Sequence, residues 1–392
     1  MVVFFTSITT NYLPKARVLA ESVKRHHPDG HFMLLLSDAL PDWLDLENEP
    51  FDSVVTADQL GIPDFPRWAY MHSVVELCTA VKGPAFRWLL NERGAEKAFY
   101  LDPDMAVFSP LTPLIDRLDQ SSVLLTPHQL EPETTPDAVL DNEICSLKHG
   151  VFNLGFLGLR NSEGGRKFAD WWAKRLLDHC YDDIPGGLFT DQRWVDLAPC
   201  FFDDLEIVRD PEYNVATWNL THRHVEGSLA GGITVNGRPL RLYHFSGFDS
   251  GAQEQMLNKY GRGNTTLWEM RDWYIAECEK HGQEALGRLP AIYGVYDNGE
   301  KVSQHQRLLY RSRTDLMAAF PNPYVTDVPK HSYLHWYRTE FAANQADGIQ
   351  EPAELLRYEL QQHRNSLERI HRSRAWRLSQ KIASLARLLR LA

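Results

Sequence analysis

The stretch Lys97-Ala98-Phe99-Tyr100-Leu101-Asp102-Pro103-Asp104-Met105-Ala106-Val107-Phe108 places two carboxylates directly after an apolar run. The apolar run predicts a buried strand that ends at Asp102. In open α/β sheets, ligand-binding groups stand at the carboxyl ends of strands. Across a turn that Pro103 fixes, both carboxylates can offer an oxygen to one hard divalent cation. A solvated acidic turn is the alternative interpretation.

The segments around this motif predict an α/β fold. A strand at residues 2–5, a helical pattern at 13–23 and a strand at 32–36 that ends at Ser37-Asp38 indicate the start of an open sheet. Further strands are expected at residues 54–55, 123–125, 152–159 and 240–245, and helices at 74–81 and 86–90. From about residue 250 the pattern becomes helical, with segments at 266–280 and 302–320.

Composition narrows the class of protein. The chain has 392 residues, 43% of them hydrophobic, and a net charge of −11, which disfavours nucleic-acid binding. Its five cysteines are scattered without a C-x-x-C pair, so neither a disulfide framework nor a structural zinc site is expected. The N-terminus lacks a signal-peptide pattern, and no apolar stretch is long enough for a membrane span. We therefore expect a cytoplasmic protein.

Five motifs in order carry a resemblance to a known family. They are Tyr100 to Asp104, Thr6 to Tyr12, Phe152 to Leu159, Thr190 to Gln192, and Tyr243 to Gly247. The first resembles the Asp-x-Asp metal motif of GT-A-fold, nucleotide-sugar-dependent glycosyltransferases, and the others are similar to motifs of glycosyltransferase family 8 and related bacterial surface-polysaccharide enzymes. The resemblance implies an α/β, GT-A (Rossmann-like) mixed open sheet over residues 1–250. It is followed by a mainly helical appendage over 251–346, expected to shape the acceptor site or an oligomer contact, and by a basic amphipathic helical tail over 347–392.

The resemblance also implies ligands for a metal and a donor. Asp102, Asp104 and His244 would hold Mn²⁺ or Mg²⁺, and an imidazole ligand favours Mn²⁺. Without the resemblance, His244 would be taken for a packed strand residue. The nucleotide-sugar donor, expected to be a UDP-sugar, would contact the following residues: Thr6, Asn11, Tyr12, Asp38, Asn153, Gly155 and Gly247. For Asn11 and Tyr12 the alternative is a helix cap with a buried ring.

Three residues are predicted to act in catalysis. A cation before the metal motif would offset charge on the leaving diphosphate. We prefer Lys82 over Arg87, because Gly83-Pro84 predicts that a helix ends there; a solvated lysine is the alternative. In the family, the residue matching Asp191 contacts sugar hydroxyls and that matching Gln192 lies below the anomeric carbon, which implies retention. Asp191 as a base in an inverting enzyme, or as part of a helix cap, stays open.

The C-terminal residues reverse the charge of the chain. Residues 357–392 carry nine basic and two acidic side chains, a net charge of +7, and Leu378, Ile382, Leu385 and Leu389 recur at helical spacing. The pattern predicts an interfacial amphipathic helix on an anionic membrane, which would place the protein peripherally at the inner face of the plasma membrane. A homo-oligomer contact, or docking on the acidic body, is the alternative.

The function predicted from these motifs is sugar transfer from a nucleotide-diphosphate donor to a growing surface glycan, free or lipid-linked. A sugar-nucleotide nucleotidyltransferase is a second reading, but residues 2–17 lack the Gly-rich basic loop that it needs. A non-catalytic, glycan-binding subunit of a polysaccharide assembly system is a third.

Overall fold

Strands dominate the first part of the chain and helices the last. The computed structural model describes residues 1–261, 263–327, 331–341, 356–363 and 365. Its strands are β1 (Val2–Ile8), β2 (His31–Leu36), β3 (Ser53–Thr56), β4 (Lys97–Leu101), β5 (Met105–Val107), β6 (Val123–Pro127), β7 (Phe152–Arg160), β8 (Asp182–Asp183), β9 (Leu188–Phe189), β10 (Leu205–Ile207), β11 (Val225–Ser228), β12 (Gly232–Val235), β13 (Arg238–Pro239) and β14 (Leu242–His244).

The α-helices alternate with the strands along the first 250 residues and make up most of the regular structure after them. They are α1 (Leu13–His26), α2 (Phe65–Tyr70), α3 (Val74–Ala80), α4 (Lys82–Asn91), α5 (Thr112–Arg117), α6 (Pro136–Ala138), α7 (Ile144–His149), α8 (Glu163–His179), α9 (Gln192–Val195), α10 (Ala198–Phe201), α11 (Ala252–Tyr260), α12 (Thr265–Lys280), α13 (Gln283–Leu286), α14 (Gln304–Ser312), α15 (Thr314–Ala319) and α16 (Tyr333–Trp336). Residues 356–363 are also helical.

A seven-stranded mixed sheet forms the centre, in the order β10-β6-β7-β4-β1-β2-β3. β1 pairs in parallel with β2 and β4, whereas β7 runs antiparallel to β4 and β6. The predicted mixed open sheet with a helical C-terminal region is therefore confirmed. Since β1, β2 and β4 are parallel, their carboxyl ends meet at one edge, and the antiparallel β7 begins at the same edge.

Alternating side chains of the strands fill two hydrophobic layers. In β1, Val3 and Phe5 join the layer that contains Tyr100, while Phe4 and Ile8 join the layer that contains Phe99. This alternation follows from the two-residue period of a strand. Both faces of the sheet are covered, which explains why β1 and β4 read as nearly continuous apolar runs.

A separate two-stranded ladder connects distant parts of the chain at this edge. β5 and β14 pair antiparallel, with Met105 opposite His244 and Val107 opposite Leu242. The strand predicted at residues 240–245 is thus present as β14, outside the central sheet. The Phe245 N–H also donates to the Asp104 carbonyl oxygen at 2.8 Å. The ladder therefore fixes His244 beside the acidic turn that follows β4.

Two local predictions were wrong. Gly83-Pro84 does not end a helix; α4 begins at Lys82 and contains both residues in its first turn. Proline is tolerated there because its missing N–H is not needed for an intrahelical bond. The helix expected over 302–320 divides into α14 and α15 at Arg313, whose backbone is extended with φ −126° and ψ 103°.

The C-terminal helices pack onto the sheet domain through aromatic rings. Tyr70 of α2 lies in one buried cluster with Tyr296, Tyr310 and Tyr333, and its hydroxyl is 2.6 Å from that of Tyr296. Arg307 donates to the carbonyl oxygen of Tyr70 at 2.9 Å. No helix among the described residues combines the length and apolar character that crossing a membrane requires. Most of the predicted tail over 347–392 lies outside the described residues, namely 347–355, 364 and 366–392.

Candidate functional site

The side chains of Asp102, Asp104 and His244 converge at the edge where β4 and β14 end. Each offers one ligand atom, and these atoms all lie within 4.8 Å of one another. His244 Nε2 is 2.9 Å from Asp104 Oδ1 and 3.8 Å from Asp102 Oδ2. Two carboxylates and an imidazole form a donor set that suits Mn²⁺ or a similar divalent cation. The residues present therefore fit the metal that the sequence motifs imply.

Asn214, which the sequence reasoning missed, orients the imidazole. Its backbone is left-handed with φ 50°, and its buried side-chain oxygen lies 3.3 Å from His244 Nδ1. The amide oxygen accepts a hydrogen bond from the Nδ1–H group, which leaves Nε2 facing the two carboxylates. The same side chain donates to Thr126 Oγ1 at 3.0 Å and to Asn153 Oδ1 at 2.9 Å.

Gly155 of β7 makes room for this arrangement. A Cβ atom at this position would lie 2.7 Å from Met105 Cε and 2.8 Å from both His244 Cε1 and Asn153 Oδ1. The carbonyl oxygen of Gly155 accepts a hydrogen bond from the Asp102 N–H at 2.8 Å. Glycine is thus needed because a side chain would collide with the histidine ligand. The predicted contact of Gly155 with a donor sugar stays a prediction.

The charges of the triad stabilise one another. Burial alone would raise the pKa of Asp104, but the His244 ring outweighs it and lowers this pKa. Burial would likewise lower the pKa of His244, whereas the Asp104 carboxylate raises it. Without a metal, the site therefore favours an imidazolium between carboxylates. A divalent cation would take the place of that proton.

Lys82 links the triad to Asp191. Its ammonium lies 3.0 Å from Asp191 Oδ2 and 3.4 Å from Asp102 Oδ1, and it donates to the Leu154 carbonyl oxygen at 3.2 Å. The side chains of Lys82 and Asp191 are only 3% and 4% exposed. Burial opposes the charge on Lys82, but Asp102 and Asp191 outweigh it and raise the pKa of Lys82. Lys82 is therefore a buried ammonium next to Asp102 of the metal triad.

The position of Asp191 was only partly anticipated. It precedes α9, but its side chain pairs with Lys82 and accepts from Thr190 Oγ1 at 3.0 Å, so the helix-cap alternative does not describe it. Thr190 has a left-handed backbone with φ 44°, which turns the chain sharply before the helix. Burial raises the pKa of Asp191, against the effect of Lys82.

Gln192 and Asn153 have side chains that are fixed by other parts of the protein. Gln192 Oε1 accepts from the Leu154 N–H at 3.0 Å, and its Nε2 donates to the His149 carbonyl oxygen at 2.9 Å. Asn153 Oδ1 accepts from the Gly155 N–H at 3.1 Å, and its Nδ2 lies 3.1 Å from His128 Nε2. These bonds fix both amides on the wall of the site, so ligand binding does not have to immobilise either side chain.

A cavity of about 430 Å³ unites these groups. Asp102, Asp104, His244, Lys82, Asn153, Gly155, Asp191 and Gln192 all line it. Trp218, which the sequence reasoning did not single out, lies across the ring of His244 with centroids 5.1 Å apart. Its buried indole N–H has no hydrogen-bond partner among the described residues, which leaves it available to a ligand.

The sequence also provides no indication of several further residues that line the cavity. They include His128, His149, Asp182 and Phe189. Burial lowers the pKa of His128 to about 4, so at neutral pH its uncharged ring accepts the Asn153 amide. Asp182, Phe189 and His149 belong to the short elements β8, β9 and α7, and His128 follows β6. No local pattern in the sequence distinguishes them.

Five predicted donor contacts do not line the cavity: Thr6, Asn11, Tyr12, Asp38 and Gly247. Asn11 and Tyr12 are half-buried in the turn that follows β1. Thr6 is fully buried within β1, and its hydroxyl has no partner among the described residues. Gly247 adopts φ 74° in the loop after His244. Donor contact by Thr6, Asn11, Tyr12 and Gly247 stays a prediction.

Asp38 already has partners within the protein. Its Oδ2 accepts from the N–H of Thr10 at 3.1 Å and from the hydroxyl of Thr10 at 2.8 Å, and its Oδ1 accepts from the Ile292 N–H at 2.7 Å. The carboxylate thereby joins the turn after β1 to the C-terminal helical region. Its contact with a donor stays a prediction. Arg87, the second candidate cation, lies on α4 and does not line the cavity.

Comparison with known proteins gives distant relatives. No protein-family model matches the chain. It is similar to the uncharacterized protein YfnF of Bacillus subtilis (strain 168), with 25% identity over 174 residues, covering 44% of this chain and 57% of that protein. It is also similar to the uncharacterized protein YfnD of the same strain, with 26% identity over 251 residues, covering 62% of this chain and 77% of that protein. The chain thus matches less than two thirds of the length of YfnF.

Solved structures that resemble the chain include the galactosyltransferase LgtC in complex with donor and acceptor sugar analogues. The TM-score is 0.44 at 18% identity. The match covers 71% of this chain and 96% of the LgtC chain. Mouse xyloside xylosyltransferase 1 in its apo form has a TM-score of 0.37 at 13% identity. The match covers 62% of this chain and 97% of the xylosyltransferase chain. Both are glycosyltransferases, the class that the sequence motifs indicate. Because both TM-scores lie below 0.5, the proposed function rests on the geometry of the site.

Proposed function

We propose that the protein is a metal-dependent glycosyltransferase that moves a sugar from a nucleotide-diphosphate donor, a UDP-sugar, to a growing surface glycan. The single observation that supports this most is the convergence of Asp102, Asp104 and His244 within 4.8 Å on the wall of a cavity of about 430 Å³. The cavity has the size of a small-molecule site. Its wall also contains the buried ammonium of Lys82.

The metal would be held by Asp102, Asp104 and His244, and Mn²⁺ suits this set because one ligand is an imidazole. Such a cation supplies Lewis acidity to the oxygens of a departing diphosphate. Asn214 fixes the ring so that Nε2 faces the two carboxylates. The protein thus presents a preorganised, negatively charged pocket for the cation.

Lys82 supplies positive charge beside that pocket. It lies at the start of α4, where Asp102, Asp191 and the Leu154 carbonyl oxygen keep its ammonium in place. A fixed cation at this position stabilises negative charge that grows on the leaving diphosphate, and its burial strengthens the effect.

Asp191 and Gln192 would face the donor sugar. We propose transfer with retention, because protein groups hold both oxygens that a base would use: Lys82 contacts Asp191 Oδ2 and the Thr190 hydroxyl donates to Asp191 Oδ1. The amide of Gln192 is held at both ends and lines the cavity beside it. NMR of the anomeric proton in the first product tests this, since an inverted product would require a carboxylate base.

Release of nucleoside diphosphate from a panel of nucleotide sugars tests the proposed activity. With Mn²⁺ and no acceptor, we expect slow hydrolysis of one donor, which the substitution Asp104→Asn abolishes. Asp29→Asn removes an exposed carboxylate of the same type and should leave the rate unchanged. A folded wild-type protein that hydrolyses no donor would contradict the proposal. Release of pyrophosphate from a nucleoside triphosphate and a sugar phosphate would favour a nucleotidyltransferase instead.

We also propose that the basic tail binds an anionic membrane, so that the acceptor is lipid-linked. Arg357 pairs with Asp183 of β8, with Nη2 2.7 Å from Oδ2, and Asp182 beside it lines the cavity. The segment that carries the net charge of +7 therefore begins, at Arg357, beside a residue that lines the cavity. Vesicles of anionic lipid should sediment the full chain and not a variant truncated after residue 365. Equal sedimentation of both proteins would contradict this.

A further inference from the structure

A second lysine, Lys15, is buried against the loop that follows the metal-site residue His244. It lies in the first turn of α1, and its side chain is 3% exposed. The ammonium lies 2.7 Å from Asp249 Oδ2, 3.6 Å from the ring centroid of Tyr12 and 5.1 Å from that of Phe248. Among the described residues, Asp249 is the carboxylate that pairs with it. That carboxylate belongs to an exposed loop, and its side chain is 43% exposed.

The loop that carries Asp249 starts at the metal site. It follows His244 directly, and Ser246 lines the cavity. Burial opposes the charge of Lys15, but Tyr12, Asp249 and Asp104 together raise the pKa of Lys15, so the side chain is an ammonium. The loop therefore spans from a metal ligand to the partner of a buried cation, and the field of Asp104 reaches that cation.

Two glycines flank the Phe248-Asp249 pair. Gly247 has φ 74° and Gly251 has φ 79°, both in the left-handed region that only glycine adopts without strain. A Cβ at Gly251 would meet nothing within 4 Å, so its glycine serves the backbone conformation and not packing. The segment that covers Lys15, residues 248–250, is thus a short turn bounded by two glycines with positive φ.

Lys15 and Lys82 differ in what happens when an anion arrives. Lys82 pairs with the metal-site residue Asp102 and with Asp191, which is 4% exposed, so separating Lys82 from Asp191 would leave an unpaired carboxylate in the interior at a high cost. The partner of Lys15 is 43% exposed and can return to water at little cost. Of these two buried lysines, Lys15 is the one whose carboxylate can be exchanged for another anion.

We propose that Lys15 binds the diphosphate of the donor and that the carboxylate of Asp249 occupies this position until the diphosphate displaces it. This inference rests on the proposed function, because it concerns the same donor. Phosphate oxygens form charge-assisted hydrogen bonds with an ammonium, and a diphosphate brings more negative charge than one carboxylate.

Calorimetric titration with nucleoside diphosphates tests this exchange. UDP, GDP, ADP and dTDP are titrated into the wild type in the presence of Mn²⁺. The diphosphate that binds most tightly, and the corresponding nucleoside, are then titrated into the variants. We expect Asp249→Asn to tighten the diphosphate severalfold, because the competing carboxylate is gone. Lys15→Met should weaken it about tenfold or more. Neither variant should change the affinity for the nucleoside, followed by ligand-observed NMR, by more than twofold.

Lys24→Met is the matched control, because Lys24 lies on the same helix and pairs with Asp52 far from the site at 2.8 Å. It should leave the affinity for the diphosphate unchanged. If Lys15→Met proves unfolded by its thermal transition, the tightening by Asp249→Asn still decides the question. Unchanged or weaker diphosphate binding by Asp249→Asn would overturn the inference while leaving the proposed function standing. A wild-type protein that binds none of the four diphosphates would overturn both.

Discussion

Lys82 is held between two carboxylates, and this allows its part in charge compensation to be separated from its part in folding. Lys82→Met should lower the rate of sugar transfer by about 10²–10³-fold, the loss seen when one preorganised electrostatic group is removed. It should also lower the melting temperature, because Asp191 is left buried without its partner. The double variant Lys82→Met/Asp191→Asn should recover the melting temperature and not the rate.

Arg87→Met is the control for that comparison, since Arg87 lies on the same helix and does not line the cavity. Steady-state kinetics and a thermal melt on each variant suffice. Recovery of activity in the double variant would mean that Lys82 acts only through folding.

Gly155 of β7 tests whether the strand is shaped for the metal site. Gly155→Ala should weaken Mn²⁺ binding about 10–100-fold, because the new methyl group would push His244 away from the two carboxylates. Gly158→Ala is the matched control, since its Cβ would instead lie 2.9 Å from Phe99 Cε1 in the core. Both variants should lose stability, by about 1–3 kcal/mol. Equal Mn²⁺ affinities in the two variants, measured by calorimetry, would contradict this account of β7.

The junction between the sheet domain and the C-terminal helices contains a buried ion pair in addition to its aromatic cluster. Arg311 of α14 lies 3.5 Å from Glu76 of α3, with side chains 3% and 1% exposed, and Glu76 also accepts the Asp182 N–H at 2.8 Å. Arg311→Met should destabilise the protein by about 3–5 kcal/mol, because a buried carboxylate loses its partner. Arg313→Met removes a largely exposed pair with Asp315 and should cost at most about 1 kcal/mol. If urea unfolding showed similar losses of stability for Arg311→Met and Arg313→Met, the structural role of the Arg311–Glu76 pair would be contradicted.

The parts of the site that lie within one strand and its turn could be predicted from the sequence. Asp102 and Asp104 flank a proline directly after an apolar run, so their convergence is a local property. His244 was reached only through a family resemblance, because the pairing of β5 with β14 joins residues about 140 positions apart. Asn214 and Lys15 gave no signal, since their importance arises from contacts with distant residues. Gly83-Pro84 misled because the same pair fits the first turn of a helix as well as a stop.

At the scale of the whole molecule, stability should depend on pH through His72. Its ring is 1% exposed, and burial lowers the pKa of His72 to about 4, below the value of about 6.5 expected in the unfolded chain. The uncharged ring is thus favoured in the folded state, so its contribution is complete above pH 6.5 and is lost as the pH falls towards 4. The loss amounts to about 3 kcal/mol.

His72→Asn keeps a donor that can reach the Trp68 carbonyl oxygen, to which Nδ1 of the histidine is 2.8 Å distant. The difference in unfolding free energy between wild type and variant should therefore change in favour of the variant between pH 7 and pH 4. Urea titrations at both pH values measure it. A difference that does not vary with pH would show that His72 is not the titrating group.

The central claim is that Asp102, Asp104 and His244 hold a divalent cation through which a nucleoside diphosphate binds. Calorimetric titration of UDP, GDP, ADP and dTDP into the wild-type protein, once with Mn²⁺ and once with EDTA, tests it most directly. We expect one of these nucleotides to bind about tenfold or more tightly with Mn²⁺, and Asp104→Asn to remove that difference. Equal affinity in Mn²⁺ and EDTA, or an Asp104→Asn variant that keeps the full effect of Mn²⁺, would contradict the claim.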